Sequence, residues 1–276
     1  MRRNSPLLDR PCAGWQADLP GPTSEIAKGA IFTAPVNEQN HSFLEISRPI
    51  SPHRGAALLL AVFQTIASVI YLIWSFGILI PASFFGFDPL MIVVQILAVG
   101  FCAILPIFLI CSAVLPPRDC PIRFNRALRK VYTYGFNVSW FSFPTRWHVT
   151  TNTYQWEDLR AELWRQRGFT PHGGLIISWG ISIAVVKPGT NLVIDRFPLS
   201  VGEDEGSLWD YVRTYMQLGP DALPQVKTSR DPNAVSRYNL ALRLAPKVQW
   251  PAEMDAESRS GVLQGDCQYA KSEFRG

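Results

Sequence analysis

The sequence has few of the residue patterns from which catalytic and metal sites are built. It contains no nucleophile-elbow, phosphate-binding or dinucleotide-binding motif. No histidine has metal-ligand spacing to another His, Asp or Glu; the four are His41, His53, His148 and His172. The sequence therefore assigns no catalytic, cofactor-binding or metal-binding residue.

Cysteine is also sparse, and no CxxC pair occurs; the five cysteines are Cys12, Cys102, Cys111, Cys120 and Cys267. This pattern disfavours both a disulfide framework and a zinc site. Cys120 lies between Arg118 and Arg123, whose charges would lower the pKa of its thiol. A structural thiol is the simpler interpretation.

Fixed charge is almost absent from the stretch 55–117, where Asp88 is the only Asp, Glu, Lys or Arg. Residues 58–80 and 90–115 are each long enough, at about 1.5 Å per residue, to cross a hydrocarbon layer of about 30 Å. Because backbone in lipid must satisfy its own hydrogen bonds, we expect two membrane-spanning helices. The alternative is a buried helical hairpin in a soluble protein, but such helices are shorter and rarely apolar on every face.

Positive charge is distributed unevenly about this predicted hairpin. The turn 81–89 has no Lys or Arg, whereas Arg48 and Arg54 precede the first helix. Basic residues also follow the second helix as a predicted membrane-surface patch: Arg118, Arg123, Arg126, Arg129 and Lys130. Retention of positive charge on the cytoplasmic side predicts a multi-pass membrane protein with both termini cytoplasmic. The patch would attract anionic lipid head groups, and no nucleic-acid-binding motif accompanies it.

The remainder of the chain divides into three parts. Residues 1–54 predict a mostly irregular cytosolic segment with one short strand at 41–46, which could dock on the cytosolic domain. Residues 118–254 predict a β-rich cytosolic domain, and residues 255–276 a flexible tail.

Within 118–254, branched and aromatic residues favour strands at 121–126, 131–136, 146–156, 175–186 and 191–197. Residues 157–167 suit either a strand or a helix. An amphipathic helix follows at 208–216, with Ser207 as the expected N-cap and Gly219 at its end. The order predicts an α+β membrane protein whose β-rich antiparallel domain is a curved sheet or small barrel carrying one helix, as in pleckstrin-homology-like domains.

A set of short motifs gives the chain a resemblance over about residues 45–225. The motifs are PIRFNR at 121–126, KVY at 130–132, WEDLRAE at 156–162, KPGT at 187–190, IDRFP at 194–198, LWDYVRTYM at 208–216 and GPDALP at 219–224. They resemble a proteobacterial family of two-helix inner-membrane proteins that is catalogued as a domain of unknown function. That resemblance implies a genomic setting near type VI secretion genes and assigns no role to any residue.

Two functions are compatible with these features. The first is a non-catalytic, membrane-anchored interaction protein that presents its cytosolic domain to a protein partner, as a type VI secretion accessory or immunity factor. Small residues in the second helix also suit packing against another copy. The alternative is an enzyme at the cytosolic membrane surface, which needs convergent polar groups; a deep pocket with His148 or His172 beside a carboxylate would favour it. Asp195 and Arg196 could line a pocket, although strand-face salt bridges explain them more simply.

Overall fold

The computed structural model describes residues 5–26, 36–48, 54–82, 89–138, 146–169, 174–202, 206–224, 230–235 and 238–259. Within them the strands are β1 Trp15–Asp18, β2 Val36–Gln39, β3 Phe43–Ile46, β4 Ile122–Asn125, β5 Lys130–Asn137, β6 His148–Gln155, β7 Leu159–Phe169, β8 Leu175–Val186 and β9 Val193–Val201. The helices are α1 Arg54–Ala82, α2 Pro89–Val114, α3 Ser207–Leu218, α4 Leu240–Leu244 and α5 Ala252–Arg259. The chain is therefore α+β, with two long apolar helices and two antiparallel sheets.

The helical hairpin is the connection between two neighbouring strands. One sheet has the order β2-β3-β4-β5-β6 and the other the order β1-β7-β8-β9. In the first sheet β3 pairs with β4, and Ile46 lies opposite Ile122. The chain thus leaves this sheet at the end of β3, forms α1 and α2, and returns to the adjacent position.

The two sheets and α3 share one hydrophobic core. Inward-facing residues of both sheets contribute to it, including Leu44 and Phe124 from one sheet and Ile183 from the other. Two buried indoles, Trp156 and Trp209, lie at its centre with ring centroids 5.2 Å apart. Because α3 is amphipathic, its apolar side closes this core as the sequence predicts.

The N-terminal segment is part of this domain rather than a separate tail. It supplies β1 to one sheet and β2 and β3 to the other, where a single strand was predicted. It also wraps α3: the Trp209 indole donates to the Pro20 carbonyl at 2.8 Å, and the Tyr215 hydroxyl donates to the Asn40 carbonyl at 2.8 Å. The domain is therefore assembled from chain on both sides of the helical hairpin.

The long helices expose their apolar side chains. Ile73 of α1 and Leu97 of α2 are 69% and 67% exposed. This outward-facing surface differs from that of a buried hairpin in a soluble core, the alternative weighed from sequence. Both helices are long and apolar enough to span a membrane. Helix α1 continues to Ala82, which lies inside the turn predicted at 81–89. Residues 83–88 of that turn lie outside the described part of the chain.

Polar contacts join the two long helices. Gln95 of α2 accepts a hydrogen bond from the Tyr71 hydroxyl at 3.1 Å and donates to Ser75 Oγ at 2.6 Å. Gln64 donates instead to Ser68 one turn along its own helix, at 3.3 Å. Each glutamine side chain thus has a nearby partner, which avoids leaving its amide unsatisfied in an apolar environment.

Two details differ from the sequence-based expectations, and one ambiguity is resolved. The segment that suited either a strand or a helix is strand β7 from Leu159 onward, because it pairs with β1 and β8. The N-cap of α3 is Gly206, with φ of 103°, so Ser207 is the first helical residue rather than the cap. Finally, α5 crosses the boundary predicted at residue 254, and its Ser258 is buried. Residues 260–276 of the predicted tail lie outside the described part.

Candidate functional site

The five residues of the predicted basic patch do not form one surface. Arg123 lies inside the protein, since its side chain is only 2% exposed. Its Nη2 is 2.8 Å from Glu45 Oε2, and its Nη1 is 2.8 Å from Asp255 Oδ1. The guanidinium also lies over the Phe43 ring at 4.6 Å and the Trp250 ring at 4.9 Å. A guanidinium in this position cannot contact lipid head groups, so the prediction is wrong for Arg123.

Arg118 ties the end of α2 to the C-terminal part of the domain. Its guanidinium donates to the backbone carbonyls of Asn233 at 2.8 Å, Leu242 at 3.0 Å and Arg243 at 3.1 Å. Arg54, at the start of α1, makes similar contacts across the base of the hairpin by donating to the carbonyls of residues 116 and 117. These two arginines fix how the helical hairpin leaves the domain.

The other basic residues of the patch lie at the end of the sheet far from the helices. Strand β4 starts soon after α2 and runs away from it. At about 3.3 Å per residue, its four residues place the turn after Asn125 about 13 Å from the start of the strand. There Arg129 pairs with Glu157, and Lys130 pairs with Glu257. Arg126 also lies in this turn, with its guanidinium near Gly219. Chain proximity to α2 therefore does not place these charges beside the helices.

The end of the sheet beside the helices is aromatic instead. Strand β5 returns toward the helices and continues past the start of β4 to Asn137. Beyond that point Trp147 packs edge-on against Phe136 at 6.2 Å and against Phe108 of α2 at 6.1 Å. The β5–β6 end consequently lies alongside the last turns of α2.

A cavity of about 560 Å³ opens at this end, between β5, β6 and β9. Pro116, just after α2, contributes to its wall, as do Phe136 and Val201. Its uncharged polar lining comes from alternate residues of the β5–β6 ribbon: Thr133, Asn137, Thr150 and Asn152. The cavity therefore combines apolar and neutral polar walls next to the base of the hairpin.

The charged groups of this cavity are held by protein partners. The Tyr154 hydroxyl donates to Asp195, and burial together with this hydrogen bond raises the pKa of Tyr154. Arg196 pairs with Glu162, which is fully buried. Asp195 and Arg196 thus do both things considered from sequence: they line a pocket and form polar pairs between strands.

Cys120 also borders the cavity, and its thiol is not activated. Burial raises the pKa of Cys120 to about 11, and this outweighs the opposing effect of the neighbouring Arg48. The Arg48 guanidinium itself donates to the carbonyls of Cys120, Tyr134 and Pro198. A thiol with this pKa is almost entirely protonated at neutral pH and is a poor nucleophile.

A second cavity, of about 610 Å³, lies beside the buried Arg123 cluster. Its acidic and basic walls also pair with one another. Arg259, for example, lies 3.0 Å from Asp255 and 3.8 Å from Glu38. This cavity is a charged recess closed on one side by α5.

The described residues bring no histidine beside a carboxylate. His148 is exposed, and its ring Nδ1 lies 2.8 Å from the Arg146 carbonyl oxygen. His172 lies outside the described residues. Across the described ranges, no group of three His, Cys, Asp or Glu side chains is placed to hold a metal ion.

Strands β7 and β8 continue beyond the sheet as a two-stranded arm. Residues 165–169 pair with residues 175–179, while β9 ends opposite Gly180. Backbone hydrogen bonds from Arg165 to Gly14 and from Gly202 to Trp179 flank only the first of these pairs. Both faces of this arm are largely exposed, and its end carries exposed Phe169, Leu175 and Ile176. Sequence reasoning identified β8 but not the arm, because only the position where β9 ends defines it.

Comparison with known proteins gives one family and no described relative. The model of a family described as "Family of unknown function (DUF6708)" matches residues 99–241, which is about half of the chain. No curated protein and no solved structure matches.

Proposed function

Since the chain belongs to DUF6708, a family of unknown function, its role must come from its own structure, and we propose that it is a membrane-anchored interaction protein. In this proposal α1 and α2 span the membrane, and the two-sheet domain is presented to a protein partner. The observation that supports it most is the outward-facing apolar surface of both helices.

The position of the hairpin between paired strands supports one topology. Because β3 and β4 are neighbours, the chain before α1 and the chain after α2 lie on the same side of anything that the helices cross. Basic residues at the base of the hairpin, Arg48, Arg54 and Arg118, favour the cytosol for that side. Moving each positive charge outward against the potential costs about 2.3 kcal/mol per 100 mV. We therefore propose a bacterial inner-membrane protein with both termini cytoplasmic.

The partner is proposed to be a cytosolic protein of type VI secretion, with this chain as an accessory or immunity factor. The sequence resemblance is the support for this setting. The order of strands followed by α3 at the core is also compatible with a pleckstrin-homology-like domain, a type of scaffold that presents loops and edges to partners. Self-association through α2 remains a prediction from its small residues, among them Gly100, which has open space around it.

One engineered cysteine tests both the anchor and the partner. Tyr238 is 93% exposed, so Tyr238→Cys in a Cys267→Ser background provides a reactive thiol on the domain. The native Cys12 and Cys120 are buried, and burial raises the pKa of each thiol to about 11, so they should react slowly. Ser83→Cys, in the predicted outer turn, is the matched variant.

With a membrane-impermeant maleimide on intact spheroplasts, Ser83→Cys should be labelled and Tyr238→Cys should be labelled only after permeabilisation. Labelling of Tyr238→Cys before permeabilisation would overturn the topology. The same thiol, carrying a cleavable photo-crosslinker at native expression level, should then yield a discrete protein adduct. Failure to find one from Tyr238 and from other exposed positions on the domain would overturn the interaction role.

A further inference from the structure

We propose that the β7–β8 arm, residues 165–169 and 175–179, docks on the lipid surface beside the helical hairpin. The inference rests on the proposed function, since it takes α1 and α2 to be in a membrane. It adds a second membrane contact, made by the domain itself, that would hold the domain in one orientation. Three observations carry it: the direction of the arm, its length, and the residues it exposes.

The direction follows from contacts between the sheets. Side-chain contacts at two successive levels indicate that β9, in the four-stranded sheet, points in the same direction as β5, in the five-stranded sheet. Near the start of both strands, the hydroxyl of Tyr154, which lies in β6 opposite the second residue of β5, donates to Asp195 of β9. Further along both strands, the Arg48 guanidinium donates to the Tyr134 carbonyl of β5 at 3.0 Å and to the Pro198 carbonyl of β9 at 2.7 Å. Since the far end of β5 lies alongside α2, the far end of β9 points toward the base of the hairpin as well.

The cavity at this end supports the same alignment. Val138 after β5, Val201 at the end of β9 and Pro116 after α2 all contribute to its wall. Gly180 of β8 pairs with Val201, so the arm begins at this level. Its five paired residues on each strand extend about 17 Å further at 3.4 Å per residue. The arm thus projects from the same end of the domain as α1 and α2.

The exposed residues of the arm match a lipid interface. The apolar end carries Phe169, Leu175 and Ile176, which are 76%, 54% and 49% exposed. Nearer the domain are two exposed arginines, Arg165 and Arg167. An interfacial segment usually places its apolar side chains at the acyl boundary and its guanidinium groups at the level of the lipid phosphates.

Lipid suits this surface better than water does. A two-stranded ribbon without a packed face is only marginally stable in water. The neighbouring Trp147–Phe108 contact already places another ribbon end against a helix whose outward side is apolar. Because the arm points to that same level, the surface in front of it is the membrane itself.

Depth-dependent quenching in lipid nanodiscs tests the proposal on the full chain. An environment-sensitive fluorophore is attached, one position at a time, to Phe169→Cys, to Ile73→Cys in α1, and to Tyr238→Cys on the domain, all in a Cys267→Ser background. Phosphatidylglycerol-containing nanodiscs are prepared with lipids brominated near the head group or near the chain end. We expect shallow bromines to quench the Phe169 probe at least twofold more than the Tyr238 probe.

The controls separate this inference from the proposed function. Quenching at Ile73 without quenching at Phe169, together with iodide quenching at Phe169, would overturn the docking of the arm and leave the anchor intact. No quenching at Ile73 would overturn the anchor and the docking together. Replacing Arg165 and Arg167 by Gln should reduce the Phe169 quenching in anionic nanodiscs, and an unchanged signal would contradict the assigned role of the arginines.

Discussion

The two ends of the five-stranded sheet differ in the forces that hold them. The far end, at the β4–β5 turn, uses charge pairs between exposed side chains, Arg129 with Glu157 and Lys130 with Glu257. The end beside the helices uses aromatic packing, in which Trp147 joins α2 to the β5–β6 ribbon. Since β4 runs away from the helices and β5 returns, the basic residues of the β4–β5 turn are at the far end although they follow α2 by few residues.

This difference separates sequence proximity from spatial proximity at the proposed membrane surface. Ion pairs in water contribute little because both partners remain solvated. If the helices span a membrane as proposed, the aromatic contacts beside α2 lie where lipid rather than water surrounds the rings, and they keep their value. The chemistry of each end therefore suits its surroundings, with charge in solvent and aromatic rings beside the helices.

The largest effect is expected between these ends, at the buried Arg123 of β4. Arg123→Ala leaves Glu45 buried without its guanidinium partner, which should lower the free energy of unfolding by about 3–5 kcal/mol. Urea unfolding of the full chain in detergent, followed by tryptophan fluorescence, measures this change. Arg126→Ala, in the adjacent turn, is the control. A loss below 1 kcal/mol for Arg123→Ala would contradict the assigned network.

An intermediate effect is expected at the aromatic end. Trp147→Ala removes two edge-on ring contacts, with Phe136 and Phe108, each worth about 0.5–1.5 kcal/mol beyond the area they bury. Hydrogen exchange should become faster in the paired ends of β5 and β6, while the β7 amides opposite Val185 should be unaffected. Unchanged protection near Asn137 would show that the ribbon end does not depend on α2.

The smallest effect is expected at the charged end. Glu157→Gln and Glu257→Gln each remove one ion pair between partly exposed side chains, so each should cost less than about 1 kcal/mol. The cost should shrink further at 1 M salt, where the screening length is about 3 Å. The midpoint of urea unfolding at low and high salt measures it. A loss of unfolding free energy above 2 kcal/mol that does not change with salt would show that the charged end is held as strongly as the aromatic end.

Much of the fold could be predicted from local pattern. The stretch without charged residues predicted both long helices. The run of β-branched residues at 175–186 predicted β8 with the same bounds as in the structure. The β7 segment remained ambiguous because Ala, Glu, Leu and Arg suit helices, and only pairing with β1 and β8 decides for a strand.

The candidate site was less predictable because its residues meet through tertiary pairing. Arg123 sits between Ile122 and Phe124 in a motif that looks like an exposed basic strand, and its partners are 78 and 132 residues away. The membrane-surface patch failed at Arg123 for this reason. Trp147 and Phe169 were visible as aromatic residues, but their relation to α2 depends on strand direction, which composition does not give.

The pairing of β3 with β4 also sets an order of events during synthesis. The ribosome makes β3 before the hairpin and β4 after it, with about 75 residues between the paired strands. At 5–20 residues per second, β3 waits roughly 4–15 s for its neighbour. During that interval its apolar Phe43, Leu44 and Ile46 have no β4 to pair with. In the proposed membrane protein, completion of the sheet is thus coupled to insertion of the hairpin, and a delay in inserting α1 and α2 would prolong exposure of a strand edge to aggregation.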